Sequence, residues 1–254
     1  LLLVVIVFSI LNPLYLSGAN LVDVIDQATI NGLLAIGITF VIITGGIDLS
    51  VGSTMAIVIV VVGQLLTSGG LNPVVAVLAG IVLGILLGLV NGVLVAKLGL
   101  QPFIATLATM SAFRGVAYII TGGYPVLDMP PAFRAMLDGD LLGVVPIAIL
   151  ILLAFAVVGH FILTKSRTGV YIFAIGGNEE STRLSGVDIF RNKAIAYALC
   201  GIGAALAGMV LLARLGTGEP AAGQGYELNA IAAAAIGGTS LAGGKGSIVG
   251  TLLG

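Results

Sequence analysis

Side chains that could carry out catalysis are few in this sequence and lie far apart. It has one histidine, His160, and one cysteine, Cys200, and no acidic residue or second metal ligand stands close to either. A zinc site needs three or four ligands together, and a nucleophilic serine needs a histidine that an acid orients. The sequence therefore predicts no catalytic residues, no metal site and no cofactor, and Cys200 is expected to be a small packing residue.

One segment superficially resembles a phosphate-binding loop. Gly244 and Lys245 fit two positions of that pattern, but Thr239 stands where it needs glycine and Gly246 where it needs serine or threonine. We predict that this loop binds no nucleotide. Any ATP hydrolysis coupled to the function should then take place on a separate partner chain.

The composition places most of the chain in a lipid bilayer. Of the 254 residues, 59% are hydrophobic and 8% are charged, against about 25% charged in ordinary soluble domains, and the mean hydropathy is +1.22. A soluble domain would lack a polar surface, and a disordered chain would be less hydrophobic, so both classes are excluded. The net charge of −1 leaves no basic surface for nucleic acid. We predict an all-α, polytopic bundle of transmembrane helices.

Nine apolar segments are separated by polar, glycine-rich or proline-rich breaks. They are Leu1–Leu11, Ala28–Thr44, Val51–Thr67, Val74–Ala96, Phe103–Thr121, Pro146–Thr164, Ala194–Ala213, Glu227–Gly238 and a last one from Ile248. We expect one membrane domain over residues 1–254, truncated at both ends, with nine segments of about ten present. The segment Glu227–Gly238 would rise only about 18 Å as a helix. It is expected to be either a half-helix that dips into the membrane or a span buried within the bundle.

Basic residues orient this bundle. The polar segment Lys165–Lys193 contains five Lys or Arg residues, and counting the spans alternately puts Lys97 and Lys245 on the same side. Only Arg134 and Arg214 fall on the opposite side. Because basic loops are retained in the cytoplasm, the segment Lys165–Lys193 is expected to be a cytoplasmic loop.

Within this loop the sequence predicts a short capped helix. Asn178 is a favourable N-cap, acidic residues follow where the helix dipole favours negative charge, and Gly186 fits a left-handed stop. A helix this short is marginal in water without something to pack against. We predict that it docks a soluble partner, the plainer alternative being a solvated connector. The docking residues would be Asn178, Glu179, Glu180, Arg183, Leu184, Ser185 and Gly186.

Two glycine-interrupted segments, residues 45–53 and 237–247, share the order Gly-Gly, Leu, then Gly and Ser. Paired interruptions in two halves of a membrane protein are typical of a transport site, although glycine-rich turns also recur by chance in a chain with 38 glycines. We predict an internal repeat whose two segments meet near the middle of the membrane and line a substrate path. The path residues would be Asp48, Ser53, Thr106, Thr109, Arg114, Asn229 and Thr239.

Arg114 is the one basic residue predicted inside a span. Its burial costs about 2.5–3.5 kcal/mol on insertion scales unless the charge is paired or hydrated. The expected partner is Asp48 or, in the outer loop, Asp128. Satisfaction by backbone carbonyls or water is the alternative, and it would make Arg114 part of a cavity wall.

A stripe of glycines runs along one face of the Val74–Ala96 segment. The glycines stand four residues apart, at Gly80, Gly84, Gly88 and Gly92. Small residues at this spacing let a neighbouring helix approach closely. We predict that this helix packs inside the bundle.

Several motifs together resemble those of the ribose-type sugar permeases of ABC importers. They are Gly45–Ser53, Pro102–Met110 with Arg114-Gly115, Thr121–Gly123, Ala174–Asn178 with Arg183–Gly186, and Ala230–Ala232 with Gly237–Leu241. The resemblance implies a transport subunit of the bacterial inner membrane rather than an enzyme, with about ten helices. It also implies three partners: a second permease chain in a homodimer, ATP-binding subunits docked on the cytoplasmic loop, and a periplasmic protein that delivers a monosaccharide.

Other functions stay open at this point. Related permeases import branched-chain amino acids or nucleosides, and a secondary transporter or channel working alone would belong to a different class. Proton-coupled transport needs titratable groups deep in the spans, and only Arg114, with Asp48, meets that condition in this sequence.

Overall fold

A computed structural model describes residues 2–12, 14–141, 143 and 145–254. In these residues the chain forms twelve helices and one short antiparallel hairpin. The helices are α1 (Leu2–Leu11), α2 (Gly18–Ile43), α3 (Val51–Thr67), α4 (Pro73–Ala96), α5 (Pro102–Thr121), α6 (Pro131–Asp138), α7 (Ile147–Lys165), α8 (Arg167–Gly177), α9 (Glu179–Leu184), α10 (Ile189–Leu215), α11 (Tyr226–Ile236) and α12 (Ile248–Leu253). The hairpin joins β1 (Asp140–Leu141) to β2 (Val145–Pro146).

Five helices are long and apolar enough to cross a membrane: α2, α4, α5, α7 and α10. The predicted all-α polytopic bundle is therefore confirmed. In the bundle α10 packs against α2, α3 and α4, and its apolar residues form much of the core.

The glycine stripe of α4 faces α10, so the predicted close approach of a neighbouring helix is confirmed. The prediction that α4 lies inside the bundle is wrong, because only the glycine face is buried and the rest of the helix is largely exposed. A Cβ atom added at Gly88 would overlap the backbone carbonyl of Tyr197, and one added at Gly84 would overlap that of Gly201. The two backbones are therefore in direct contact. Because the hydrophobic effect does not drive helices together in lipid, dispersion between the two backbones stabilises this contact. The opposite face of α4, which includes Leu86, is exposed.

Two helices of the structure begin earlier along the chain than the sequence predicted. The second apolar segment was expected at Ala28, but α2 begins at Gly18, where the Ser17 hydroxyl accepts a hydrogen bond from the Asn20 amide. The additional turns contain Asp26, whose charge is neutralised by an ion pair with Arg214. Likewise α10 begins at Ile189 rather than Ala194, since the Asp188 side chain caps it.

Two helices were not predicted. α6 is amphipathic, burying Phe133 and Leu137, and its last residue, Asp138, forms an ion pair with Arg214. α8 occupies the first half of the predicted cytoplasmic loop; Ser166 caps it, and it buries every third residue of one face. The signals for α8, a serine cap and apolar residues three apart, are present in the sequence.

The short span before the end of the chain is a half-helix. After α10, residues 216–225 are not helical and run back along α3, with Gly218 against Ile59 and Gly223 against Gly52. Ile59 and Gly52 are about 10 Å apart along α3, so irregular backbone passes deep into the bundle before α11 begins. Of the two alternatives for this segment, the structure has the half-helix.

The contact between α4 and α10 can be tested with one substitution and a matched control. We expect Gly88→Val to destabilise the detergent-solubilised protein by at least about 1–3 kcal/mol, because the side chain must displace a backbone carbonyl. Leu86→Val, on the exposed face of the same helix, should change stability by less than about 0.5 kcal/mol. Thermal unfolding monitored by size-exclusion chromatography measures both; equal midpoints would contradict the packing described.

Candidate functional site

A buried polar network surrounds Asp48 in the turn between α2 and α3. One oxygen of its carboxylate accepts hydrogen bonds from the Ser50 amide (2.8 Å) and the Ser50 hydroxyl (2.7 Å). The Asn91 amide donates to the Ser50 hydroxyl (2.7 Å) and, at 3.4 Å, to Asp48. Among the described residues no Lys or Arg nitrogen lies within 4 Å of this carboxylate. Neutral donors therefore hold Asp48 in place.

Asn91 joins this turn to α5, and sequence reasoning missed it. Its side-chain oxygen accepts a hydrogen bond from the Thr109 hydroxyl (2.7 Å), while the Thr106 hydroxyl donates to the carbonyl of Ile47 (3.0 Å). Asn91 is the only polar side chain in α4. A single polar residue in an otherwise apolar span was the sequence signal that could have identified it. The network thus links α3, α4 and α5 through side chains in the first half of α5.

The two glycine-interrupted segments meet. The Gly244 amide donates to the carbonyl of Ile43 (2.9 Å), and a Cβ atom at Gly243 would lie 2.9 Å from the nitrogen of Gly45. Gly176 of α8 packs against Ile43, at the end of α2, and against Gly244 of the second segment. Because α8 belongs to the predicted cytoplasmic loop, the contact lies at the loop end of the bundle and not at the expected middle.

Arg114 is held by backbone carbonyls, and both predicted ion pairs are wrong. Its Nη1 atom donates to the carbonyl oxygen of Pro220 at 2.8 Å and also to that of Ala222. Neither Asp48 nor Asp128 pairs with it. The reason is that residues 216–225 are not helical, so their carbonyls need donors from elsewhere in the bundle.

A cavity of about 240 Å³ lies beside this guanidinium. It is lined by Met110, Ser111, Arg114, Gln224 and Glu227. Arg114 is half-buried, and twelve residues of α5 place it about 18 Å from the start of that helix. Of the predicted path residues, Arg114 alone lines this cavity, so Ser111, Gln224 and Glu227 are additions that the structure makes.

The remaining predicted path residues lie elsewhere. Asp48, Ser53, Thr106, Thr109 and Thr239 are buried in the packed bundle, and Asn229 is exposed on α11 outside the cavity. In this conformation the buried five connect neighbouring elements instead of facing an open space. A part in the substrate path stays a prediction for these six residues.

The predicted docking helix has the expected caps. The side chain of Asn178 accepts a hydrogen bond from the Ser181 amide (2.8 Å), and Gly186 has a φ of +82°. Glu179 pairs within the chain, with Arg183 (2.8 Å) and Lys193 (2.6 Å). Glu180 also pairs with Arg183, at 3.3 Å, and Ser185 is exposed beyond the last turn.

The tip of this docking helix is apolar. Leu184, its last residue, is 80% exposed. An exposed leucine at the end of a charged, capped helix is a side chain that a partner can bury.

Comparison with known proteins places the chain in a family. Residues 20–254 match the family described as "Branched-chain amino acid transport system / permease component". The chain belongs to this permease family. It is 45% identical to the ribose import permease protein RbsC of Bacillus subtilis (strain 168), over 99% of this chain and 78% of that protein. It is also 45% identical to RbsC of Escherichia coli (strain K12), over 100% of this chain and 80% of that protein.

A further relative is the D-allose transport system permease protein AlsC of Escherichia coli (strain K12), 37% identical over 99% of this chain and 77% of that protein. No solved structure matches the chain significantly. With its bacterial relatives and its five apolar helices, the chain is a multi-pass protein of the bacterial inner membrane and a transport subunit rather than an enzyme.

The link between α4 and α5 predicts the effect of removing one hydroxyl. Thr109→Val keeps the shape of the side chain but leaves the Asn91 oxygen without its donor, which should lower stability by about 1–3 kcal/mol. Thr164→Val removes an exposed hydroxyl that bonds only to its own helix and should have little effect. Equal thermal midpoints for the two variants would contradict the buried network.

The carbonyl contacts of Arg114 predict the outcome of a charge swap. Arg114→Asp should loosen residues 216–225, seen as faster hydrogen exchange of their amides by mass spectrometry, and adding Asp128→Arg should not restore them. Asp128→Arg alone, the control, should leave exchange in this segment unchanged. Recovery in the double variant would show that an ion pair, and not the carbonyls of Pro220 and Ala222, satisfies Arg114.

Proposed function

We propose that this chain is the membrane permease subunit of an ABC importer that takes up a monosaccharide. The observation that carries the proposal is the 45% identity to two ribose import permeases over essentially the whole chain. Relatives named for D-allose and xylose follow at 37% and 35% identity. Sugar is therefore favoured over branched-chain amino acids, although the family description names the latter.

The described cavity has polar side chains that could bind a sugar. Its polar groups are a guanidinium, a carboxylate, an amide and a hydroxyl, which can hydrogen-bond to sugar hydroxyls. The chain has no tryptophan, so it lacks the ring most suited to holding a ligand tightly by stacking, and weak contacts suit a site that must release its cargo.

The importer needs partners that hydrolyse ATP and deliver the substrate. We infer that ATP-binding subunits dock on α9, with Leu184 entering a pocket of the partner, and that a periplasmic binding protein delivers the sugar from the other side. A second copy of this chain completes the path. The cavity beside Arg114 opens on the surface of one chain, and charged groups at that depth need protein or water around them.

Uptake of labelled sugar tests the function. The chain, expressed with its ATP-binding subunit and binding protein in bacteria lacking their own ribose permease, should restore uptake of ribose, and an inactive ATP-binding subunit should abolish it. Uptake of leucine but of no monosaccharide would show that the cargo is an amino acid. Uptake that persists without ATP hydrolysis would show a transporter or channel that works alone.

The docking proposal predicts a loss of partner binding without a loss of folding. Leu184→Asp should lower copurification of the ATP-binding subunit about tenfold or more, since a buried apolar anchor is replaced by a charge. Tyr124→Asp is the control. Tyr124 is about as exposed as Leu184 but follows the C-terminal end of α5, so its substitution should leave copurification unchanged. Gly186→Val, which strains the left-handed stop, should insert normally yet abolish uptake. Full partner binding by Leu184→Asp would contradict docking through α9.

A further inference from the structure

The cavity beside Arg114 contains two charged groups that form no direct ion pair. Among the described residues, no ion pair within 4 Å joins the Arg114 guanidinium to the Glu227 carboxylate, although both line the same space. Both hydrogens of Arg114 Nη1 are used by the carbonyls of Pro220 and Ala222. Its Nη2 and Nε atoms have no acceptor among the residues that the structure describes.

Glu227 is held in place by its surroundings. One of its carboxylate oxygens accepts a hydrogen bond from the Gly225 amide (3.2 Å). The other lies against α3, 2.6 Å from where a Cβ atom of Gly52 would stand. Glycine at position 52 therefore leaves room for the carboxylate, which connects the first glycine-interrupted segment to the cavity.

The depth of the cavity restricts what can lie in it. Arg114 is about 18 Å along α5, beyond the middle of a hydrocarbon core of about 30 Å. Exposed charged and amide side chains at that depth do not face lipid, since they would lose their hydration without compensation. Gln224 and Ser111 are exposed beside Arg114 and Glu227, so this side of the chain faces a water-filled space or a hydrated cargo.

From this arrangement we infer that the cavity is a transient binding site for the hydroxyls of the sugar during transport. Its binding groups are Ser111, Arg114, Gln224 and Glu227. Sugar hydroxyls both donate and accept hydrogen bonds. Glu227 accepts from one hydroxyl, the guanidinium and the Gln224 amide donate to others, and Ser111 does either. The inference rests on the proposed function, and it identifies the groups of the permease that bind the sugar hydroxyls.

The test compares sugars rather than total activity. The importer is reconstituted with its ATP-binding subunit and binding protein in proteoliposomes, and uptake of ribose, allose, xylose and their single-deoxy analogues is measured per ATP hydrolysed. Expressing each variant as a fraction of wild type, sugar by sugar, cancels the selectivity of the binding protein. We expect Glu227→Gln to lower ribose uptake about tenfold, the usual scale for one charge-assisted hydrogen bond.

The decisive readout is the analogue that lacks the hydroxyl bound by Glu227. For this one sugar, Glu227→Gln should transport as well as wild type, because the lost interaction is absent from both. Glu219→Gln is the matched control: it makes the same change of charge in the non-helical segment that precedes α11, at an exposed side chain outside the cavity, and should behave as wild type with every sugar.

Two other results would overturn the inference. A loss in Glu227→Gln that is equal for all sugars would show a structural role, and wild-type uptake by Glu227→Gln and Gln224→Ala would show that the cavity does not bind the cargo. A wild-type importer that hydrolyses ATP but takes up none of these sugars would refute the proposed function itself, and the hydroxyl site with it.

Discussion

Backbone carbonyls that leave a helix inside a membrane must find donors, and here Arg114 supplies them. Non-helical backbone within the hydrocarbon layer is tolerated only where protein or water satisfies its polar groups. The guanidinium, itself costly to bury, donates to the carbonyls of Pro220 and Ala222. Two unfavourable burials thus compensate each other, and the resulting fixed position of residues 216–225 brings Gln224 and Glu227 to the cavity.

At the end of the bundle that contains the predicted cytoplasmic loop, close packing of glycines holds the elements together without ion pairs. Gly45, Gly243 and Gly176 bring three backbones into contact there, close to the buried network of Asp48 and Asn91. Because α8 contains Gly176 and is followed directly by α9, the docking helix is one residue from an element that touches the end of α2 and the second glycine-interrupted segment. The proposed site of ATPase docking and the glycine contact are therefore parts of one continuous packed unit.

Local features could be predicted from the sequence, and long-range ones could not. The Asn178 cap, the Gly186 stop and the α4 stripe each depend on residues within a few turns of one another. The acceptors of Arg114 lie 106 and 108 residues away. They are backbone carbonyls, which every residue type has, so no residue in the sequence indicates them. The early start of α2 was missed for a similar reason, since Asp26 is compatible with a membrane helix only because of Arg214, 188 residues further on.

The most direct measurement determines whether the cavity beside Arg114 is accessible to water. Single cysteines at Gln224, and at Leu86 on the exposed apolar face of α4, are introduced into a Cys200→Ala background, which removes the one native cysteine. The account predicts that Gln224→Cys reacts with a water-soluble thiol reagent in the membrane, that ribose slows the reaction, and that Leu86→Cys does not react. A cysteine at position 224 that stays unlabelled in every nucleotide state of the importer would contradict it.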